Sequence, residues 1–371
     1  MRLRSSHDFL RLTYRSVTST NKTSMPSITN VLANDEQLDS TTPSQQKLQH
    51  DKNPRHPITH LVFGANTDVG KTVLTTALIR ASDPKRTDGS STGTVHYIKP
   101  LQSGGSDESF VQKHSSNYLS SSTTLFQWDT PSSPHFAARI ENKPVSDKEV
   151  LEALSSCVRE FEASSVQDFS AAENDDDDST TIVQAGSNSI WIETAGGVLS
   201  PSSSSPENSD VYHAKSGVGG WGWITQADLY KGFVRDHHDN DRSTSVVLIG
   251  DGRLGGISST LTALEALLYR DYSVGGILLI NDGESDNDLC DVNLEALREY
   301  AATYPASQLR FRSSGDKTPP RSPLFDDPEK SILSLPSLPP EPEPLNDWFA
   351  SSEVQDRMFS FVHEHLFHSY R

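Results

Sequence analysis

The chain has 371 residues, a formal net charge of −18 and only 34% hydrophobic residues, below the ~45–50% apolar share of typical globular chains, so part of it packs no core. Its length suits two domains, or one with long insertions, at about 100–200 residues per domain. The acid excess excludes a general nucleic-acid binder, which needs clustered Lys and Arg. The absence of any apolar run near ~20 residues predicts no membrane span. The only two cysteines, Cys157 and Cys290, make no disulfide framework and no zinc pattern.

Residues 1–57 lack regular periodicity and end at Pro54 and Pro57. Their first part, to Met25, carries Arg2, Arg4, Arg11, Arg15 and Lys22, many Ser and Thr, and one acid, Asp8. That is the composition of an organelle transit peptide, with a mitochondrial address ahead of a plastid one. A basic tail with no address, leaving the protein cytoplasmic, is the other reading.

The folded part opens at Thr59-His60-Leu61-Val62-Phe63, a β-type run. Gly64-Ala65-Asn66-Thr67-Asp68-Val69-Gly70-Lys71-Thr72 follows, and then a helical pattern from Val73. Strand, glycine-bounded loop and helix are the setting of a phosphate loop. Backbone N–H groups and the helix start would face phosphate oxygens, Lys71 would add a full charge, and the Thr72 hydroxyl would reach Mg²⁺. Against the general pattern, the first glycine sits one residue early and Ala65 stands in its place.

Next comes Val95-His96-Tyr97-Ile98, leading into Lys99-Pro100-Leu101-Gln102-Ser103-Gly104. A lysine at a strand end can enter the cleft at the sheet's carboxyl edge. A helical pattern covers 147–162. Residues 163–189 are rich in Ser and Asp, including the run Asp175–Asp178, which reads as a solvated insertion rather than a metal site. Ile190-Trp191-Ile192 then runs into Glu193-Thr194-Ala195-Gly196-Gly197. A carboxylate at a buried strand end needs a cation, and beside a phosphate loop Mg²⁺ is the natural one.

Residues 199–220, rich in Ser, Pro and Gly, are a linker or a substrate loop. Ser245–Ile249 is a strand, followed by a glycine turn and a helix over 257–270 that a Ser or Thr caps, an anion site with Ser258 and Ser259 at its start. Ile277–Ile280 is a further strand ending at Asn281 and Asp282, before a helix over 289–302. The proline-rich 312–344 reads as a linker. Short apolar strands alternating with helices predict an α/β fold, a mainly parallel P-loop NTPase-type sheet with helices on both faces.

Several of these runs together resemble the dethiobiotin synthetase family, over roughly 58–350. Its phosphate loop reads Gly-Thr-Asp-Thr-x-Val-Gly-Lys-Thr, and Thr67, Val69, Gly70, Lys71 and Thr72 match it, while Ala65 and Asn66 depart from it. Lys99-Pro100 and Ser103-Gly104 match its Lys-Pro-x-x-[Ser/Thr]-Gly segment. Glu193 to Gly197 matches Glu-Gly-Ala-Gly-Gly, with Thr194 replacing a glycine. The runs Asp228-Leu229-Tyr230 and Gly250 to Ser258 look like the synthetase half of the eukaryotic bifunctional enzyme, which adds a diaminopelargonate aminotransferase. Composition and resemblance together divide the chain into three segments. Residues 1–57 are the targeting or disordered part, 58–311 the synthetase-like domain, and 312–371 a proline-rich stretch with a C-terminal helix that completes it. The resemblance makes the chain a stand-alone synthetase or a piece of the fused one.

The resemblance also implies roles. ATP and Mg²⁺ would be the cofactors, with 7,8-diaminononanoate and CO₂ or bicarbonate as substrates and a homodimer as the assembly. Lys71 and Lys99 would be catalytic. Thr67, Asp68, Val69, Gly70, Lys71, Thr72, Val73, Glu193, Asn281 and Asp282 would hold nucleotide. Thr72, Asp107 and Glu193 would bind the metal. Ser103, Gly196, Gly197, Ser258 and Ser259 would contact substrate. Three other readings stand beside it: a partitioning-type ATPase, disfavoured by the lack of lysine in 64–69, a glutamine amidotransferase, disfavoured by the lack of a cysteine elbow, and a non-catalytic synthetase-like domain.

Overall fold

The computed structural model describes residues 57–82, 93–171, 188–203, 224–239, 243–281, 283, 289–304, 322–340 and 344–369. The basic N-terminal segment, the acidic run at 175–178, most of 199–220 and Asp282 lie outside them. In chain order the elements are β1 (Ile58–Gly64), α1 (Lys71–Ser82), β2 (Val95–Ser103), α2 (Asp107–Ser115), β3 (Ser121–Trp128), α3 (Pro134–Ile140), α4 (Asp147–Ala171), β4 (Ser189–Gly197) and α5 (Gln226–Asp239). After them come β5 (Thr244–Ile249), α6 (Gly256–Leu268), β6 (Val274–Ile280), α7 (Leu289–Thr303), β7 (Ile332–Leu335), α8 (Leu345–Ala350) and α9 (Ser352–Phe359).

The strands form one seven-stranded sheet in the order β3-β2-β4-β1-β5-β6-β7, and every pairing is parallel. Alternation along each strand sends side chains into two separate cores. Leu61, Phe63, Ile190, Ile192, Val246 and Leu248 enter one, with residues of α4 to α7. Val62, Trp191, Val247 and Ile249 enter the other, with residues of α1 and the C-terminal helices. Burial on both faces is why these strands read as unbroken apolar runs.

Three elements differ from the sequence reading. The α4 helix runs on to Ala171, because 163–171 contains neither Pro nor Gly to stop it. The strand β3, Ser-Ser-Thr-Thr-Leu-Phe-Gln-Trp, is a polar edge strand without an apolar run, half-exposed over most of its length. The stretch 312–344 is not all linker, since Ile332–Leu335 pairs with β6 as the opposite edge.

Two buried imidazoles make stability depend on pH. His60, fully buried on β1, stacks on Trp191 with ring centroids 4.2 Å apart and shares a 2.6 Å hydrogen bond with Ser245. Burial lowers its pKa to about 3, and burial likewise lowers that of His96 to about 4. Both stay neutral in the fold but charge near pH 6.5 in the unfolded chain, so the unfolded state binds more protons below that pH. Stability is therefore full above about pH 6.5 and falls as pH drops toward 4, with a slope approaching ~1.4 kcal/mol per pH unit for each imidazole. Urea unfolding at pH 7 and pH 5.5 measures the slope, and His60→Gln is expected to remove its share. A slope unchanged in that variant would exclude His60 as a source.

Candidate nucleotide and metal site

The loop between β1 and α1 is anchored at both sides. Ala65 N donates to Ile249 O of β5 (2.7 Å), and Val198 N donates to Gly64 O (3.0 Å). Asp68 and Gly70 take left-handed backbone, with φ of 57° and 84°, a conformation that suits Gly and that Asp tolerates. The Lys71 side chain folds back over Gly64, where an added Cβ would lie 3.0 Å from its Nζ and 3.1 Å from its Cδ. Glycine at 64 thus does what the shifted motif needs: it lets the lysine cross its own loop. Burial, and then the neighbouring Lys99 charge, lower the Lys71 pKa to about 8. Thr67 and Asp68 are exposed, Val73 is half-buried, and the Val69 side chain belongs to the core, which leaves Val69 only its backbone to offer a ligand.

Next to the loop, three elements converge on one carboxylate. Glu193, on β4, has no exposed surface. Its Oε1 accepts from Thr72 Oγ1 of α1 (3.0 Å) and from Lys99 Nζ of β2 (2.9 Å), and its Oε2 accepts from the Tyr97 hydroxyl (3.2 Å). Lys99, 3% exposed, also pairs with Asp107 Oδ2 at 2.6 Å. Burial opposes the Lys99 charge, but the carboxylates of Glu193 and Asp107 outweigh it and raise the pKa. Burial and the Glu193 charge push the Tyr97 phenol upward too, so it remains a donor.

The period of two explains the cluster. Tyr97 and Lys99 are two apart on β2, Trp191 and Glu193 two apart on β4, and the register pairs Tyr97 with Trp191. All four then face the α1 side of the sheet. Asp107 arrives as the first residue of α2, whose Ser106 cap accepts from Ser109 N. Gln102 holds the intervening turn, since its Nε2 donates to Gly104 O (2.6 Å) and its Oε1 accepts from Asp107 N (3.4 Å).

The donors that converge here, one hydroxyl and two carboxylates, are hard oxygens of the kind Mg²⁺ prefers, with room left for phosphate and water ligands. Thr72, Asp107 and Glu193 could hold such an ion, with Lys99 now lying between the two carboxylates. Thr194, a departure from the family pattern, is accommodated without strain, since its buried hydroxyl donates to Val62 O at 3.0 Å.

Other predicted residues stand apart from this cluster. Ser103 donates its hydroxyl to Ser132 O. Gly196 has φ of 64°, and a Cβ there would meet Ser200 Oγ at 2.7 Å, while Gly197 N donates to that same hydroxyl. No Ser or Thr caps α6. Gly255 caps it with φ of 85°, because the tight turn needs left-handed backbone, and Ser258 and Ser259 fall within the first turn. Ser259 Oγ donates to Gly256 O (3.1 Å) and Ser258 O accepts from Thr262.

Asn281 directly follows β6, its Oδ1 accepting from Gly283 N at 3.0 Å and its N donating to Leu335 O. The preceding Ile280 lies over the phosphate loop, with its Cδ1 2.5 Å from where a Gly70 Cβ would be. A pocket of 380 Å³ opens on this side of β7, lined by Ser337, Leu338, Pro339, Pro340, Asp347 and Trp348 among others.

Asp228 and its neighbours are structural. The Asp228 carboxylate accepts from Arg270 Nε (2.7 Å) and Thr225 Oγ1 (2.6 Å), tying α5 to the end of α6. Tyr97, Gln102 and Ser200 join the site without belonging to any motif of the sequence. Only for Tyr97 was there a signal, its position two residues before Lys99.

Sheet order, phosphate loop and acid cluster together define an α/β protein of the P-loop NTPase type. The AAA-domain family model matches residues 59–215. The chain is 32% identical over 287 residues to the bifunctional dethiobiotin synthetase/adenosylmethionine-8-amino-7-oxononanoate aminotransferase of Emericella nidulans, covering 75% of this chain and 27% of that protein. It is 28% identical over 361 residues to the mitochondrial bifunctional dethiobiotin synthetase/7,8-diamino-pelargonic acid aminotransferase of Oryza sativa, covering 81% of this chain and 34% of that protein. It is 26% identical over 253 residues to the ATP-dependent dethiobiotin synthetase BioD of Neorickettsia sennetsu, covering 65% of this chain and 82% of that protein.

The chain is thus similar over most of its length to proteins named as dethiobiotin synthetases, the family its motifs resemble. It spans about a quarter to a third of the length of these bifunctional relatives.

Proposed function

We propose that the protein is an ATP- and Mg²⁺-dependent dethiobiotin synthetase, closing a cyclic urea on 7,8-diaminononanoate with CO₂. One observation carries the reading. Lys99 is buried against Asp107 and Glu193 while Thr72, from the start of the phosphate-loop helix, donates to the same Glu193. That constellation concentrates charge where two anions must meet.

One substrate amine captures CO₂ as a carbamate. A carbamate oxygen attacks the γ-phosphorus of ATP, the bond to ADP breaks, and a carbamic–phosphoric anhydride results. The second amine attacks its carbonyl, phosphate leaves, and a proton is lost from each nitrogen. Carbamate and γ-phosphate repel each other. Lys71 crossing the loop and Lys99, in the middle of β2 rather than at its end, would offset that repulsion as fixed charges. A bound Mg²⁺ would neutralise phosphate charge, held by Thr72, Asp107 and Glu193.

In this reading the loop backbone from Thr67 to Val73 cradles the phosphates. Asn281, with Asp282, and the pocket lined by Leu338 and Trp348 receive the base. Ser103, Gly196 and Gly197 line the diamine site, and Ser258 and Ser259 at the α6 start take its carboxylate, in a homodimer. The mitochondrial Oryza relative supports a mitochondrial address, and both bifunctional relatives support an aminotransferase, fused or separate, supplying the diamine.

Phosphate release tests the reading. With MgATP, release is expected only when diaminononanoate and bicarbonate are both present. Release with neither would favour a plain ATPase, and none under any condition a non-catalytic domain.

A further inference from the structure

We propose that Tyr97 is a positioning residue for the divalent cation, aiming Glu193 by holding its far carboxylate oxygen; this rests on the Mg²⁺-ATP reading above. Glu193 is fully buried, and its two oxygens are divided between different donors. Oε1 faces Thr72 and Lys99, at 3.0 and 2.9 Å. The phenol of Tyr97 donates to Oε2 at 3.2 Å.

The last torsion of a carboxylate is broad, so donors on both oxygens fix its plane more tightly than donors on one. Here the oxygen directed at the second candidate ligand, Thr72, is set by the bond on the other. The phenol is itself fixed, because the Tyr97 ring is wholly buried in the core shared by α1, α2 and the C-terminal helices. It also shares its strand face with Lys99, so β2 delivers both the lysine and the group that orients the lysine's partner. A phenylalanine would keep the ring and its packing but leave Oε2 without this donor. Loss of such an outer partner weakens metal binding by about 10–100-fold.

The test uses the full chain and Mn²⁺ as probe, titrated by electron paramagnetic resonance with ADP present. Tyr97→Phe is expected to weaken Mn²⁺ binding by about 10–100-fold while leaving ADP affinity in EDTA unchanged. The KM for Mg²⁺ should rise, with kcat largely recovered at saturating Mg²⁺. Unchanged Mn²⁺ affinity would overturn the proposal. So would an equal fall in metal-free ADP affinity, which marks a packing role.

Glu193→Gln covers the case in which the single variant fails to fold. With the amide in place position 193 has no carboxylate for the phenol to aim, and adding Tyr97→Phe should cost no further Mn²⁺ affinity; a further loss would count against the proposal. A wild-type protein that binds no Mn²⁺ with ADP would remove the metal-site reading itself. Mn²⁺ binding by the wild type with no effect of Tyr97→Phe would remove only the tyrosine's role.

Discussion

Lys99→Met is expected to lower turnover by about 10²-fold or more, the scale of losing one preorganised charge at a reacting centre. The same change should destabilise the metal-free protein. Lys99 is the cation between Glu193, which has no exposure, and Asp107. Removing one partner of such a buried pair costs about 3–5 kcal/mol, because the remaining charge is stranded. A divalent cation can take over that neutralisation, so Mg²⁺ with ADP should restore much of the lost stability while leaving turnover low. Thermal unfolding with and without MgADP, beside steady-state rates, separates the two effects. Turnover within a few-fold of wild type would remove Lys99 from the chemistry. A stability loss that MgADP leaves untouched would mean the two carboxylates are not where the ion binds.

Lys71→Ala should weaken ATP binding and cut turnover by about 10²-fold or more, since it removes the one full positive charge of the loop. The geometry predicts a second route to the same defect. A Cβ at position 64 would sit 2.8 Å from the Asn66 carbonyl and 3.0 Å from Lys71 Nζ. Gly64→Ala then crowds both the loop backbone at Asn66 and the path of the lysine, without touching its charge. Losing well-placed charged hydrogen bonds, at roughly 1.5–3 kcal/mol, corresponds to about a 10–100-fold fall in nucleotide affinity. Calorimetric titration with ADP checks both variants. If Gly64→Ala binds normally while Lys71→Ala does not, the lysine does not need to cross Gly64 to work.

The parts of this site that can be read from the chain are those that coincide with a pattern. Gly64 to Thr72 follow an apolar strand and precede a helix, and Lys99 and Glu193 each end an apolar run. Burial on both faces makes such strands visible as short Val, Ile and Leu runs. What stayed hidden has physical reasons too. The edge strand Ser121–Trp128 faces water and needs no apolar run, and Ile332–Leu335 is only four residues long among prolines. Tyr97 reads as an ordinary core aromatic until the pairing of β2 with β4 sets it under Glu193. Gln102 braces a turn through two hydrogen bonds that no spacing announces. The cap of α6 is Gly255 rather than the expected Ser or Thr, because its left-handed backbone makes the turn into the helix without a side-chain cap.

The most direct test of the whole account is incorporation of labelled bicarbonate. The purified chain is incubated with MgATP and diaminononanoate, and the acid-stable product is examined by mass spectrometry. One labelled carbon per diamine is expected, in a product that has gained CO and lost two hydrogens, formed in step with phosphate and slowed by about 10²-fold or more in Lys99→Met. ATP hydrolysis without label in any acid-stable product would contradict it.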